Sequence, residues 1–144
     1  MNNIKFDDGY ETFTLNGDPN RVIRFNARDT NILLRYEKGM DEMKVECGRL
    51  SDGGKEDAST LEELNQFIFD RIDYIFNSDV AGVAFGNQSP LTLLPNGRFL
   101  FEVFMESVLN EVAKRRGKRW IKEPRSIPEN IEMLRRMDIN IRME

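Results

Sequence analysis

Two stretches of the chain gather residue types that could do chemistry. Gly48-Arg49-Leu50-Ser51-Asp52-Gly53-Gly54-Lys55 approximates a phosphate loop, whose backbone amides cradle phosphates while a lysine reaches the terminal one. Its spacing misses G-x-x-x-x-G-K by one residue, Glu56 stands where Ser or Thr must hold magnesium, and no strand pattern precedes it. It reads as a mobile polar loop over residues 51–57. The second stretch is basic: Lys114, Arg115, Arg116, Lys118, Arg119, Lys122 and Arg125, with Trp120 among them. Cations with an interleaved aromatic ring would neutralise phosphates and stack on a base.

Other chemistry finds little support. The chain has no histidine, which removes the commonest metal ligand and the one side chain that titrates near neutrality unaided. Serine–histidine and cysteine–histidine nucleophile systems are thereby closed. The acidic pairs Asp7-Asp8, Asp41-Glu42, Glu56-Asp57 and Glu62-Glu63 lack the alternating ligand spacing of a calcium loop. They read as solvated faces. Cys47 is the one cysteine; it lies in an apolar stripe and reads as a small core residue in a reducing compartment. The sequence therefore points to no catalytic, cofactor-binding or metal-binding residue.

Charge is divided unevenly. From Lys114 onward there are 10 Lys/Arg and 5 Asp/Glu, giving +5; of the 21 and 25 in the chain this leaves 11 and 20 before it, giving −9. An acidic body with a basic tail suits contacts between unlike surfaces of neighbouring subunits, or an acidic partner for the tail. The acidity of the body opposes non-specific nucleic-acid binding. No apolar run reaches membrane-spanning length, and the start, Met1-Asn2-Asn3-Ile4-Lys5-Phe6, has no signal-peptide pattern.

The 144 residues suffice for one domain with its own core. We expect a mainly α fold of the α+β class: an N-terminal β-hairpin on a bundle of about three longer helices. The domain covers residues 1–119, and residues 120–144 form a C-terminal docking segment. Tyr10–Leu15 and Arg21–Phe25 read as the strands, joined by a loop of about five residues, Asn16-Gly17-Asp18-Pro19-Asn20. A first helix is expected from about Asp29 to Leu50, capped by Asn26 or Asp29. Its apolar stripe is Ile32, Leu33, Tyr36, Met40, Met43 and Cys47, and Gly39 is expected to allow a bend. Thr60-Leu61-Glu62-Glu63 reads as a capping box for a second helix, striped by Leu61, Leu64, Ile68, Ile72, Ile75 and Phe76, with Asp73 on its outer face.

The third helix, roughly Arg98 to Arg116 with Gly117 as C-cap, is apolar on more than one face. Phe101 and Phe104 lie about 200° and about 140° around from Phe99 on a regular helix. Some of these rings are therefore expected to meet a second copy or the tail, and self-association at this helix, giving a homo-oligomer, is the expectation. In the tail, residues 128–137 read as a short helix, while Ile139, Ile141 and Met143 alternate as in a strand.

The order Ile72-Asp73-Tyr74-Ile75-Phe76, then Val83-Ala84-Phe85-Gly86, then a Phe-rich helix after Ser89-Pro90-Leu91 resembles the tail assembly chaperones of long-tailed (siphovirus-type) phages and prophages of Gram-positive bacteria. In those proteins an I-D-x-x-F helix end and an x-x-F-G element precede such a helix. An early hairpin with an N-G turn is also common, which Asn16-Gly17 fits. Members often carry Gly after the helix-ending Phe, where this chain has Asn77.

The resemblance implies a non-enzymatic, cytoplasmic protein of the bacterial host that coats the tape measure protein and helps bring tail tube protein to it. The surface expected to do this is Phe76, Val80, Val83, Phe85, Phe99 and Phe101, around the break and the start of the third helix. Two alternatives stand beside it: a small nucleic-acid-associated phage protein using residues 114–125, and a structural tail or head–tail joining subunit.

Overall fold

A computed structural model describes residues 1–52 and 57–116, without the side chains of Cys47, Leu50, Ser51, Asp52 and Arg116. Residues 53–56 of the polar loop, Gly117 as C-cap, the 120–144 segment and the packing of Cys47 thus lie outside the described residues. Ser51 and Asp52, expected in that loop, continue the first helix, and Asp57 caps the second. The expected α+β architecture is present: strands β1 (Glu11–Leu15) and β2 (Asp18–Phe25), then helices α1 (Thr30–Asp52), α2 (Ala58–Phe76), α3 (Ala81–Phe85) and α4 (Leu100–Arg116). No helix among the described residues is long and apolar enough to cross a membrane.

The hairpin is tighter than its sequence suggests. Asn16 and Gly17 have φ of +52° and +72°, the pair of positive values that a two-residue type I′ turn needs and that Asn-Gly tolerates best. The five-residue loop is therefore corrected to a two-residue turn, and Asp18, Pro19 and Asn20 belong to β2. Thr14 pairs with Val22 but Leu15 pairs with Asp18, so Pro19, Asn20 and Arg21 bulge from the ladder. Proline, lacking an amide proton, is at home in such a bulge. One face of the hairpin carries Phe13 stacked on Phe25 at 4.8 Å, beside buried Ile23.

Helix α1 buries Ile32, Tyr36, Met40 and Met43 at helical spacing. It runs through Gly39 without interruption. A Cβ there would stand 3.2 Å from Ile75 Cδ1 of α2, so the glycine lets two helices approach closely rather than producing a bend. Arg35 Nε donates to the Ile75 carbonyl at 2.9 Å, using one of the carbonyls left over at the end of α2.

Helix α2 starts one turn before the expected capping box. Asp57 is the N-cap; its Oδ1 accepts from the Thr60 amide at 3.0 Å and the Thr60 hydroxyl at 3.1 Å. Thr60 is thus inside the helix and buried, and Asp57, three residues upstream, takes the capping role expected of the Thr60 hydroxyl. Along α2, Leu64, Ile68, Ile72, Ile75 and Phe76 are buried and Leu61 and Phe67 partly so.

Helix α4 begins in the core, which requires that its first amides find acceptors. The connector supplies them: Leu100 N donates to the Thr92 carbonyl at 2.8 Å and Phe101 N to the Pro90 carbonyl at 3.0 Å. Glu102, itself buried, accepts from the Phe99 amide at 3.1 Å. A small turn, with Gly97 at φ +83°, brings Leu93 opposite Phe99 and points the chain into α4.

Candidate docking groove between β1 and α4

The break after α2 is a folded element. Asn77 closes α2 in the left-handed conformation (φ +52°, ψ +44°), which Asn and Gly adopt at low cost. The chain then returns so that Asp73 Oδ1 accepts from the amides of Val80 and Ala81, both at 2.8 Å. Asp73 is therefore no outward charge but the carboxylate that holds the start of α3. At the other end, Arg21 from the β2 bulge donates Nη2–H to the Ala84 carbonyl at 2.7 Å. With both ends tied, α3 presses Val80, Ala81 and Phe85 into the core.

This corrects the expected partner surface. Phe76, Val80, Phe85, Phe99 and Phe101 are 3% exposed or less, and Val83 is partly buried against them. Phe99 and Phe101 stack on each other at 6.2 Å, and Phe104 meets Phe76 and Phe85 edge-on at 6.3 and 5.6 Å. All three rings of the aromatic helix find partners within their own chain, because the connector and α3 cover the faces that periodicity left unassigned. Asn77→Val is expected to lower stability by about 1–2 kcal/mol in urea unfolding, since a β-branched residue must take φ > 0; Asn77→Gly is expected to change it by less than about 0.5 kcal/mol.

What remains open lies elsewhere. A groove of about 630 Å³ runs between the hairpin and α4. Its α4 wall is Leu100, Val103, Phe104, Ser107, Val108 and Glu111, positions recurring every three or four residues along one face. The facing wall is Phe13 and Leu15 of β1, with Ile23 and Phe25 behind them and Ala84 and Phe85 closing one side. Phe13, Leu15, Leu100 and Phe104 are only partly buried. The second stripe of α4 was legible in the sequence, but nothing there showed that β1 would face it.

Arg115 latches one end. Its guanidinium makes a bidentate pair with Glu11 of β1 (Nε to Oε1 3.1 Å, Nη2 to Oε2 3.2 Å) and reaches Glu111 at 2.6 Å. Its Cζ also lies 4.8 Å from the Phe13 ring centroid. Lys114 pairs with Glu111 at 3.1 Å. Two cations of the basic patch are thus engaged with carboxylates of their own domain. The Arg116 side chain and Lys118, Arg119 and Trp120 lie outside the described residues.

A second, shallower hollow on the outer face of α1 is walled by Lys38, Asp41, Glu42, Val45, Glu46 and Phe67. Its rim is charged, and Arg71 pairs with Glu42 beside it. Among the described residues, no three metal-ligating side chains converge on a point that would hold an ion.

The chain matches no family model, no curated protein and no solved structure. The groove must therefore be interpreted from its own chemistry. Its apolar side chains are interleaved with Thr12, Thr14, Asn16, Arg21, Gln88, Ser107 and Glu111, so it offers hydrogen-bonding groups as well as apolar surface.

The ionic groups at one end make the latch pH-sensitive. The carboxyl of Glu111 is held below its ordinary value, first by the hydrogen bond from Lys114 and then by that from Arg115, while the pairing with Glu11 raises Arg115. A carboxylate lowered in the folded state contributes stability above its unfolded pKa of about 4.3 and loses it as pH falls through the lowered value. The effect is small because the group is solvated and screened. Carboxyl NMR is expected to show Glu111 titrating below ordinary Glu, moving upward in Lys114→Met and in Arg115→Met.

Proposed function

We propose that this chain is a non-enzymatic docking protein that shields an apolar segment of a partner in the β1–α4 groove. The observation that carries this reading is the incomplete burial of Phe13, Leu15, Leu100 and Phe104 around one open groove. From Leu100 to Glu111 that groove follows about 16 Å of helix, or about three turns of an amphipathic segment laid along it. The helix-in-groove mode suits a chaperone, because a short apolar contact gives affinity low enough for later displacement.

The resemblance to phage tail assembly chaperones supplies the partner: the tape measure protein, kept soluble in the bacterial cytoplasm until tail tube protein replaces the chaperone. The conformation of Asn77 supports that resemblance. Its φ of +52° makes Asn a conservative replacement for the Gly common there, so the departure changes no backbone requirement.

Co-expression with the tape measure protein encoded nearest to this gene tests the reading. Wild-type chain and Val45→Arg, altered on the α1 face, are expected to keep the partner soluble. Ser107→Arg, which places a charge on an exposed groove position without touching the core, is expected to leave it insoluble. Equal rescue by all three proteins would overturn the groove assignment; rescue by none would overturn the chaperone reading.

A further inference from the structure

We propose that the N-terminal arm of one copy docks in the β1–α4 groove of a second copy, so that the groove is filled by self-association until an apolar partner displaces it. This deepens the docking reading above and rests on the same groove. Every residue from Met1 to Tyr10 is exposed, yet the arm contains Ile4 at 86% and Phe6 at 76% exposure. Spaced two apart, these side chains project to one side of an extended strand. Their exposure means that they do not fill the groove of their own chain.

The arm is attached firmly. Asn26 Nδ2 donates to the Asp8 carbonyl at 3.1 Å, and Asp7 and Asp8 accept from the amides of Gly9 and Tyr10 at 2.9 and 3.2 Å. Gly9 has φ +79°, and a Cβ there would come within 2.6 Å of Asn26 Nδ2. An apolar arm held out by a fixed turn is poised for exchange between copies.

The receptor offers matching features. β1 pairs on one side with β2, and among the described residues no strand pairs with its other side. Such an edge is a template for an added strand. About five extended residues span the roughly 16 Å between Leu100 and Glu111, the length of Asn2–Phe6. Two inserted apolar side chains bury far less than the roughly 800 Å² per partner of a stable interface. The contact is accordingly weak and concentration-dependent. Because arm and groove are different surfaces, a one-way contact is heterologous and extends the series into rings or open chains of copies, and open chains can follow an elongated partner.

The test uses full-length protein in sedimentation equilibrium over a wide concentration range, with Phe6→Asp, Ser107→Arg and their equimolar mixture. Wild type is expected to form a concentration-dependent series, and each variant alone to associate at least about tenfold more weakly, a loss of about 1.4 kcal/mol or more. The mixture is expected to recover one-to-one dimers, since each variant keeps the half that the other lacks. A photo-crosslinker at position 6 in mixed light and heavy isotope chains is expected to join light to heavy at α4 peptides. Monomeric wild type, unaltered association of Phe6→Asp, intrachain crosslinks, or crosslinks to residues 117–144 would each overturn the proposal. Partner rescue by Phe6→Asp separates the two readings: if it persists while the arm assay fails, the docking reading survives alone.

Discussion

Replacing Phe99 with Ala is expected to cost about 3–5 kcal/mol of stability. Phe99 has no exposed surface, stacks on Phe101 and sits where the connector hands the chain to α4. Truncation leaves a cavity walled by a short bridge and a helix start, neither of which can collapse without losing hydrogen bonds. For a domain of this size the loss amounts to a fall in melting temperature on the order of 10–20 °C. Phe99→Asp is expected to prevent folding outright, because a carboxylate there would be buried without a cation. Loss of partner binding in such a variant would report unfolding, so the groove has to be probed at Ser107. Calorimetry of Phe99→Ala beside Ser107→Arg, whose melting temperature is expected to stay within a few degrees of wild type, checks the distinction.

Asp73→Ala is expected to cost about 2–4 kcal/mol, from the loss of two charge-assisted hydrogen bonds. The amides of Val80 and Ala81 that it satisfies belong to residues with no exposed surface, so water replaces the carboxylate poorly. Asp73→Asn keeps one acceptor oxygen and is expected to cost less. Hydrogen exchange at Val80 and Ala81 is expected to accelerate in Asp73→Ala well before exchange in the middle of α2. Uniform acceleration throughout the domain would contradict a local role.

These two residues mark where the sequence was legible and where it was not. Helix stripes such as Ile32–Met43 and Leu64–Phe76 follow from periodicity alone, and they are buried as expected. Asn16-Gly17 identified the turn, but its loop was overestimated because a bulge at Pro19 is a property of register, which composition does not encode. Asp57 was missed as a cap because Thr60 offered a more familiar pattern three residues later. Asp73 was placed on the outer face because its partners lie seven and eight residues ahead, across a chain reversal.

The same limit hid the burial of the expected partner surface. Apolar residues around Phe76 and Phe85 look available in a linear reading, since the covering by α3 depends on Asp73 and Arg21 acting from different elements. The groove, conversely, depends on β1 and α4, whose facing residues are separated by most of the domain. Arg115 reads in the sequence as one of a basic patch, but it pairs with Glu11, 104 residues away in the chain.

The most direct measurement is photo-crosslinking from two positions in cells that co-express the tape measure protein. A crosslinker at Val103, on the groove wall, is expected to capture the tape measure protein, and one at Val45, on the outer face of α1, to capture none. Capture from Val45 alone, or none from Val103 while the partner stays soluble, would contradict docking in the β1–α4 groove.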